Sequence, residues 1–73
     1  MPHETREQAE QRAQELGMDK SQVIKTKVGY FIAPQGMKSK VAKRVYGENR
    51  ANGKSKEYSA KIAWSVENKI KGE

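Results

Sequence analysis

Large apolar side chains are scarce in this chain of 73 residues, and this scarcity limits what the chain can fold into. Hydrophobic residues make up 34% of the sequence and charged residues 33%, with one Trp and one Phe. A domain of this length buries only about 60% of the surface that its unfolded chain exposes, so its core is thin. We therefore expect one domain over residues 1–73, with frayed ends at residues 1–4 and 71–73.

The first half of the sequence predicts a helix followed by a β-hairpin. Thr5 and Gln8 have the spacing of a capping box, and Gly17 stands where a left-handed residue closes a helix. Residues 23–34 concentrate β-branched and aromatic side chains around a single glycine. This pattern predicts two short strands joined by a turn near residues 27–29.

The second half predicts an antiparallel pair of helices joined by a short loop at residues 52–54. Ser39 and Ser55 stand at cap positions. Apolar residues repeat at helical spacing, and we expect these stripes to be buried: Val41, Ala42, Val45 and Tyr46 in the first helix, and Tyr58, Ile62, Ala63, Val66 and Ile70 in the second. The predicted fold class is α+β, a small single domain with an N-terminal helix, a short β-hairpin and a C-terminal antiparallel helix pair.

Positive charge is concentrated in the middle of the chain. Residues 20–61 contain eleven Lys and Arg against two acids, whereas residues 1–19 contain two against five. On a helical wheel, the cations of the first paired helix lie opposite its apolar stripe. We predict a basic face that contacts nucleic acid or an acidic protein surface through Lys40, Lys43, Arg44, Arg50, Lys54 and Lys56. The alternative is a solvated face that only keeps the protein soluble.

Three aromatic residues are predicted to contact a protein partner. Trp64 lies opposite Ile62 and Val66 on the wheel, so it is either covered by another element or exposed as an anchor for a partner. Tyr30 and Phe31 are adjacent on a predicted strand and therefore face opposite sides. We expect one of this pair to be in the core and the other to be exposed to a partner or a base.

The reactive side chains of the sequence argue against an enzyme. Its only histidine is His3, it has no cysteine, and it has no Gly-rich phosphate loop or acidic cluster with metal-ligand spacing. We therefore expect no catalysis, no metal and no cofactor. The sequence contains no apolar stretch near the roughly 18 residues of a membrane span, and a chain without cysteine is typical of a reducing compartment. We expect a cytoplasmic monomer that does not contact a membrane.

Parts of the sequence resemble known small proteins. Residues 42–46 and 59–66, which include an Ala-Trp pair, locally resemble the ChaB-type proteins. Taken whole, including the stretch GYFIAPQG at residues 29–36, the chain is more similar to the small transcription regulators of lytic Xanthomonas phages. That resemblance implies a protein that binds the host RNA polymerase in the host cytoplasm. It also implies inhibition of initiation by interference with σ-factor engagement, and antitermination during elongation.

The same resemblance implies where such a protein acts. The expected partner is the large subunits of the polymerase near the RNA exit region, with nascent RNA and elongation factors as further partners. The competing class is a small basic protein that acts directly on DNA or RNA, which strongly salt-sensitive binding would reveal. A third class, a structural or packaging protein of a virion, predicts self-assembly, and the sequence shows no large apolar patch to drive it.

Overall fold

The computed structural model describes residues 3–71 and has three helices and one β-hairpin. In chain order the elements are α1 (Arg6–Glu15), β1 (Val23–Thr26), β2 (Gly29–Ile32), α2 (Lys40–Ala51) and α3 (Lys56–Lys71), with a short 3-10 turn at Lys20–Gln22. This order confirms the predicted α+β fold. Residues 1, 2, 72 and 73, which belong to the predicted frayed ends, lie outside the described residues.

Local caps set the ends of the helices where the sequence predicts them. The side-chain oxygens of Thr5, Ser39 and Ser55 each accept the backbone N–H three residues ahead. Gly17 and Gly53 follow α1 and α2 with φ angles of 74° and 87°, which is the left-handed region that closes a helix. Each of these signals acts within a few residues, so sequence alone is enough to place it.

The hairpin is antiparallel, with Val23 opposite Ile32 and a turn at residues 27–28. The predicted turn is confirmed. His3 exchanges two backbone hydrogen bonds with Tyr30, at 2.8 and 2.9 Å, and so pairs with the outer edge of β2. The prediction of a frayed end is therefore wrong at His3, because these two bonds hold the segment before α1 on the sheet.

Helix α1 packs against the hairpin and the 3-10 turn. Its buried residues are Ala9 and Ala13, both 0% exposed, whereas Leu16 near its end is 48% exposed. Two alanines bury little apolar area, so α1 gains most of its stability from its contacts with the hairpin.

The main core lies between the hairpin and the helix pair. Its buried cluster consists of Ile24, Ala33, Met37, Ala42, Tyr46 and Ala63. Strand β1 crosses α2 at Gly47, where an added Cβ would lie 2.6 Å from Cγ2 of Ile24. Burial raises the pKa of the Tyr46 hydroxyl, and the positive charge of Arg50 partly opposes that shift.

Helix α3 buries a different face from the predicted one. The fully or almost fully buried residues are Ser59, Ala63 and Glu67, at 0%, 0% and 1% exposure. The prediction of buried side chains is wrong for Tyr58, Ile62 and Ile70, which are 48%, 36% and 46% exposed, and for Val41 on α2, which is 50% exposed. Small residues at positions 59 and 63 permit a close approach of the two helices, which leaves Tyr58 and Ile62 on the flank. Ile70 lies in the last turn of α3.

The buried side chain of Glu67 determines which side of α3 faces α2. Oε1 of Glu67 accepts the backbone N–H groups of Lys38 and Ser39 at 2.6 and 2.8 Å, immediately before α2. The two N–H groups have no partner within α2, so this side-chain oxygen satisfies donors that would otherwise be buried without an acceptor. Ser59 and Ala63 precede Glu67 at four-residue spacing and therefore share its inward-facing side.

Candidate functional site

Six large apolar side chains lie along the outer side of the helix pair. On α2 and α3 alike they recur every four residues, which places each set along one side of its helix. We call this surface the outer strip, and it consists of Val41, Val45, Tyr58, Ile62, Val66 and Ile70. Four of its members are exposed large hydrophobic residues, and Val45 and Val66 are half-buried at its base.

The two halves of the strip face the same side of the pair. On the opposite flank of α3, Ala60 and Trp64 pack against the core, and the Trp64 ring lies 3.8 Å from the position of a Cβ on Gly36. The segment before α2 thus covers one side of the antiparallel pair. The apolar flanks at residues 41–45 and 58–70 remain on the other side, together and facing solvent.

Basic side chains border the outer strip. The exposed residue that directly precedes a member of the strip is a cation at Lys40, Arg44, Lys61 and Lys69 and an acid at Glu57. Nζ of Lys54 lies 5.6 Å from the centroid of the Tyr58 ring, so this cation contacts a member of the strip. Glu48 pairs with Arg44 at 3.7 Å, but both side chains are exposed and the pair contributes little to stability. The border therefore has a positive net charge.

The hairpin divides the predicted basic face. Because β1 crosses α2 at Gly47, it separates the cations of α2 into two groups. Lys40 and Arg44 lie on one side of β1, and Lys43 and Arg50 lie on the other. Nζ of Lys43 donates to the backbone oxygen of Ser21 at 3.1 Å, and the Arg50 guanidinium lies 5.4 Å from the centroid of the Phe31 ring. The predicted residues therefore do not form one continuous surface.

The last two predicted cations, Lys54 and Lys56, lie at the junction of the two helices. Lys54 belongs to the border of the outer strip, whereas Lys56 lines a separate cleft next to Arg50. A further cleft lies between β1 and α2, and its lining contains the cations Lys25, Lys27 and Arg44 and one acid, Glu48. Positive charge is thus distributed over several sides of the molecule.

The three aromatic residues predicted to contact a partner have different surroundings. Trp64 packs against the core, which is the alternative in which another element covers it. Phe31 is buried at 7% exposure beneath Arg50, whereas Tyr30 is half-buried with Arg6 over its ring at 5.6 Å. The expectation that Tyr30 and Phe31 face opposite sides is confirmed. The aromatic side chain in the outer strip is Tyr58.

The apolar stripe of α3 predicts Tyr58 and Ile62 in the core, so the sequence does not indicate them as surface residues. The signal that could have found them is the spacing of Ser59 and Ala63, two small residues four apart on one helix. Such a pair permits close contact between helices, which leaves the larger residues on the flank. The helical spacing of apolar residues includes Ala63 but not Ser59 or Glu67, so it does not indicate the buried face.

Comparisons with protein-family models, curated proteins and solved structures found no match to this chain. None of the helices within residues 3–71 has both the length and the apolar character of a membrane span. In the same part of the chain, His, Asp and Glu side chains form no group of three or more that could hold a metal ion. The candidate site is the outer strip with its basic border.

Proposed function

We propose that this protein is a phage-encoded transcription regulator that binds the host bacterial RNA polymerase in the host cytoplasm. In this proposal it interferes with σ-factor engagement during initiation and promotes antitermination during elongation. The observation that carries the proposal is the outer strip with its basic border, because contiguous exposed apolar side chains are typical of surfaces that bind other proteins. The resemblance to phage transcription regulators supplies the partner.

The distribution of charge favours a protein partner over a nucleic acid. A protein that tracks a phosphate backbone needs a continuous row of cations, and β1 interrupts that row on α2. The outer strip, in contrast, is continuous along both helices and contains Tyr58, a residue type that is enriched at binding hot spots. Its basic border complements an apolar surface flanked by acids.

A domain of 73 residues regulates a much larger enzyme by occupying a site that several steps share. The region of the large subunits near the RNA exit is such a site, since σ passes there during initiation and a terminator hairpin forms there during elongation. A monomer bound at this site would oppose both events by steric exclusion. The basic side chains outside the interface would then lie close to the nascent RNA.

The binding test uses the immobilised protein and purified core RNA polymerase at about 0.3 M salt, where screening weakens contacts made by charge alone. We expect Ile62→Asp to weaken binding at least about tenfold, because it places a charge in the centre of the outer strip. The matched control is Val28→Asp, the same kind of change at a residue that is 49% exposed in the hairpin turn.

Unfolding temperatures measured on both variants establish that each is folded under the conditions of the assay. Unchanged polymerase binding by a folded Ile62→Asp variant would remove the outer strip from the proposal. Transcription from a template with one promoter and one terminator then tests the activity. The wild-type protein should lower initiation and raise read-through, and Ile62→Asp should lose both effects together.

A direct nucleic-acid binder is the second candidate, and the basic cleft between β1 and α2 favours it. There Lys25, Lys27 and Arg44 lie close together. Such binding would fall steeply with salt through counterion release. Binding of the isolated protein to naked RNA that survives Ile62→Asp but is lost in Lys25→Glu plus Lys27→Glu would favour this candidate over the polymerase proposal.

A further inference from the structure

The cleft that Arg50 and Lys56 line lies between α1 and the helix pair. It forms because α1 packs against the hairpin and the 3-10 turn instead of against α2 or α3. Strand β2 and the residues that follow it make its floor, α1 makes one wall, and the helix pair makes the other. Its lining includes Arg12, Leu16, Met18, Pro34, Arg50 and Lys56.

Cationic groups from separate elements converge on this cleft. Arg12 comes from α1, Arg50 from α2 and Lys56 from the start of α3, and His3 adds an imidazole from the segment paired with β2. None of the described side chains that line the cleft is acidic. Glu15 pairs with Arg12 at 3.2 Å from outside the lining, and this exposed pair is screened by solvent. The cleft is therefore positive.

Two contacts within the fold hold the side chain of Arg50. Its guanidinium lies over the Phe31 ring, and one terminal nitrogen donates to the backbone oxygen of Lys54 at 3.3 Å. Its Nε is buried and has no hydrogen-bond acceptor within residues 3–71. A guanidinium held in this way loses little conformational entropy when it binds a planar carboxylate.

Apolar side chains stand beside these cations. Leu16 is 48% exposed at the end of α1, and Met18 and Pro34 are half-buried nearby. The rings of Phe31 and Tyr46 are 7% and 2% exposed, so they offer no face on which a base could stack. The cleft thus combines carboxylate-binding groups with an apolar wall and lacks a stacking platform.

We propose that this cleft binds an acidic peptide segment of a protein, with its carboxylates on Arg12, Arg50 and Lys56 and an apolar side chain against Leu16. Complementary charge is the argument for this occupant, since a carboxylate is the planar acceptor that a fixed guanidinium pairs with best. The site does not depend on the proposed polymerase contact. Arg50 lies about 180° around α2 from Val41, so the cleft and the outer strip face opposite sides.

The test is an NMR titration of the ¹⁵N-labelled full chain with a defined probe, the blocked peptide Asp-Glu-Leu-Glu-Asp. A peptide with every acid replaced by its amide, and single-stranded oligo(dT), are titrated in parallel. We expect the acidic peptide to shift the amide signals of residues 12–18, of residues 32, 33 and 35, and of residues 50–56. The amide peptide should bind at least about tenfold more weakly, because it lacks the charge that the cations recognise.

A pair of charge-matched variants locates the site. Arg12→Glu plus Lys56→Glu should weaken binding of the acidic peptide at least about tenfold. Lys20→Glu plus Lys25→Glu removes the same net charge from exposed positions outside the cleft and should change binding by less than about twofold. Both variants leave Arg50 in place, so its contacts with Phe31 and Lys54 are retained.

The proposal is overturned if the acidic peptide shifts no signals at millimolar concentration, if its shifts map to the outer strip, or if the two double variants weaken it equally. Tighter binding of oligo(dT) than of the acidic peptide at these residues would also overturn it, in favour of a nucleic-acid strand. None of these outcomes depends on polymerase binding, so the two proposals fail independently.

Discussion

The inner and outer sides of α3 are opposite in character. The inner side buries a serine, an alanine and a glutamate at residues 59, 63 and 67, while the outer side exposes a tyrosine and an isoleucine at residues 58 and 62. In most amphipathic helices the large apolar residues lie inside. Here small residues set the close approach of α2 and α3, and the large residues are left on the surface. The comparison indicates that the inner side determines the fold and the outer side is available for binding.

The largest expected effect comes from breaking the inner side at Glu67. Glu67→Ala removes the acceptor that bonds the backbone N–H groups of Lys38 and Ser39 and leaves a cavity beneath α2. We expect the free energy of unfolding to fall by about 3–5 kcal/mol in urea titration. Glu57→Ala, at an exposed position in the first turn of α3, is the matched control and should change stability by about 0.5 kcal/mol or less.

A loss below about 1 kcal/mol for Glu67→Ala would mean that water replaces the carboxylate at the start of α2. In that case the rotation of α3 would depend on the small residues alone. The inner side would still differ from the outer one, but through its shape and not through its charge.

A smaller effect is expected from enlarging a side chain on the inner side. Ala63 is 0% exposed and belongs to the main core, so Ala63→Leu forces α2 and α3 apart. We expect a loss of about 2–3 kcal/mol, measured by thermal or chemical unfolding. Ile62→Leu, a change of shape at the neighbouring outer position, should stay within about 0.5 kcal/mol. Equal losses from the two changes would contradict the proposed difference between the sides.

The smallest change in stability is expected on the outer side, at Ile62. Ile62 is 36% exposed, so Ile62→Ala removes contacts that are only partly buried. We expect a loss of about 1 kcal/mol, below the roughly 2–5 kcal/mol that the same truncation costs in a core. A loss of the size found in cores would place Ile62 inside the fold and would weaken the case for the outer strip as a binding surface.

Sequence was enough for those parts of the fold that depend on near neighbours. The caps at Thr5, Ser39 and Ser55 and the stops at Gly17 and Gly53 each act within one turn of helix, and all of them lie where they were predicted. The hairpin turn follows from the same kind of local pattern. These features fix the element boundaries and the fold class.

The features that sequence could not supply depend on distant contacts. Glu67 bonds Lys38 and Ser39, which precede it in the chain by 29 and 28 positions. A helical wheel of α3 alone cannot predict this contact. The wheel of α2 likewise gave one basic face, because it does not include the strand that crosses at Gly47. The candidate site was missed for this reason, since both the exposed strip and the divided charge follow from packing between elements.

The bond from Glu67 to the start of α2 also bears on the order in which the chain is made. Lys38 and Ser39 are synthesised well before Glu67, so on the ribosome their amides are bound by water until α3 has emerged. The hairpin is made before α2 and packs on one side of it, but the side of α2 that faces α3 stays bare until α3 docks. Until then the nascent chain exposes the surface that the finished protein hides, and this interval is when a chaperone or a protease would engage it.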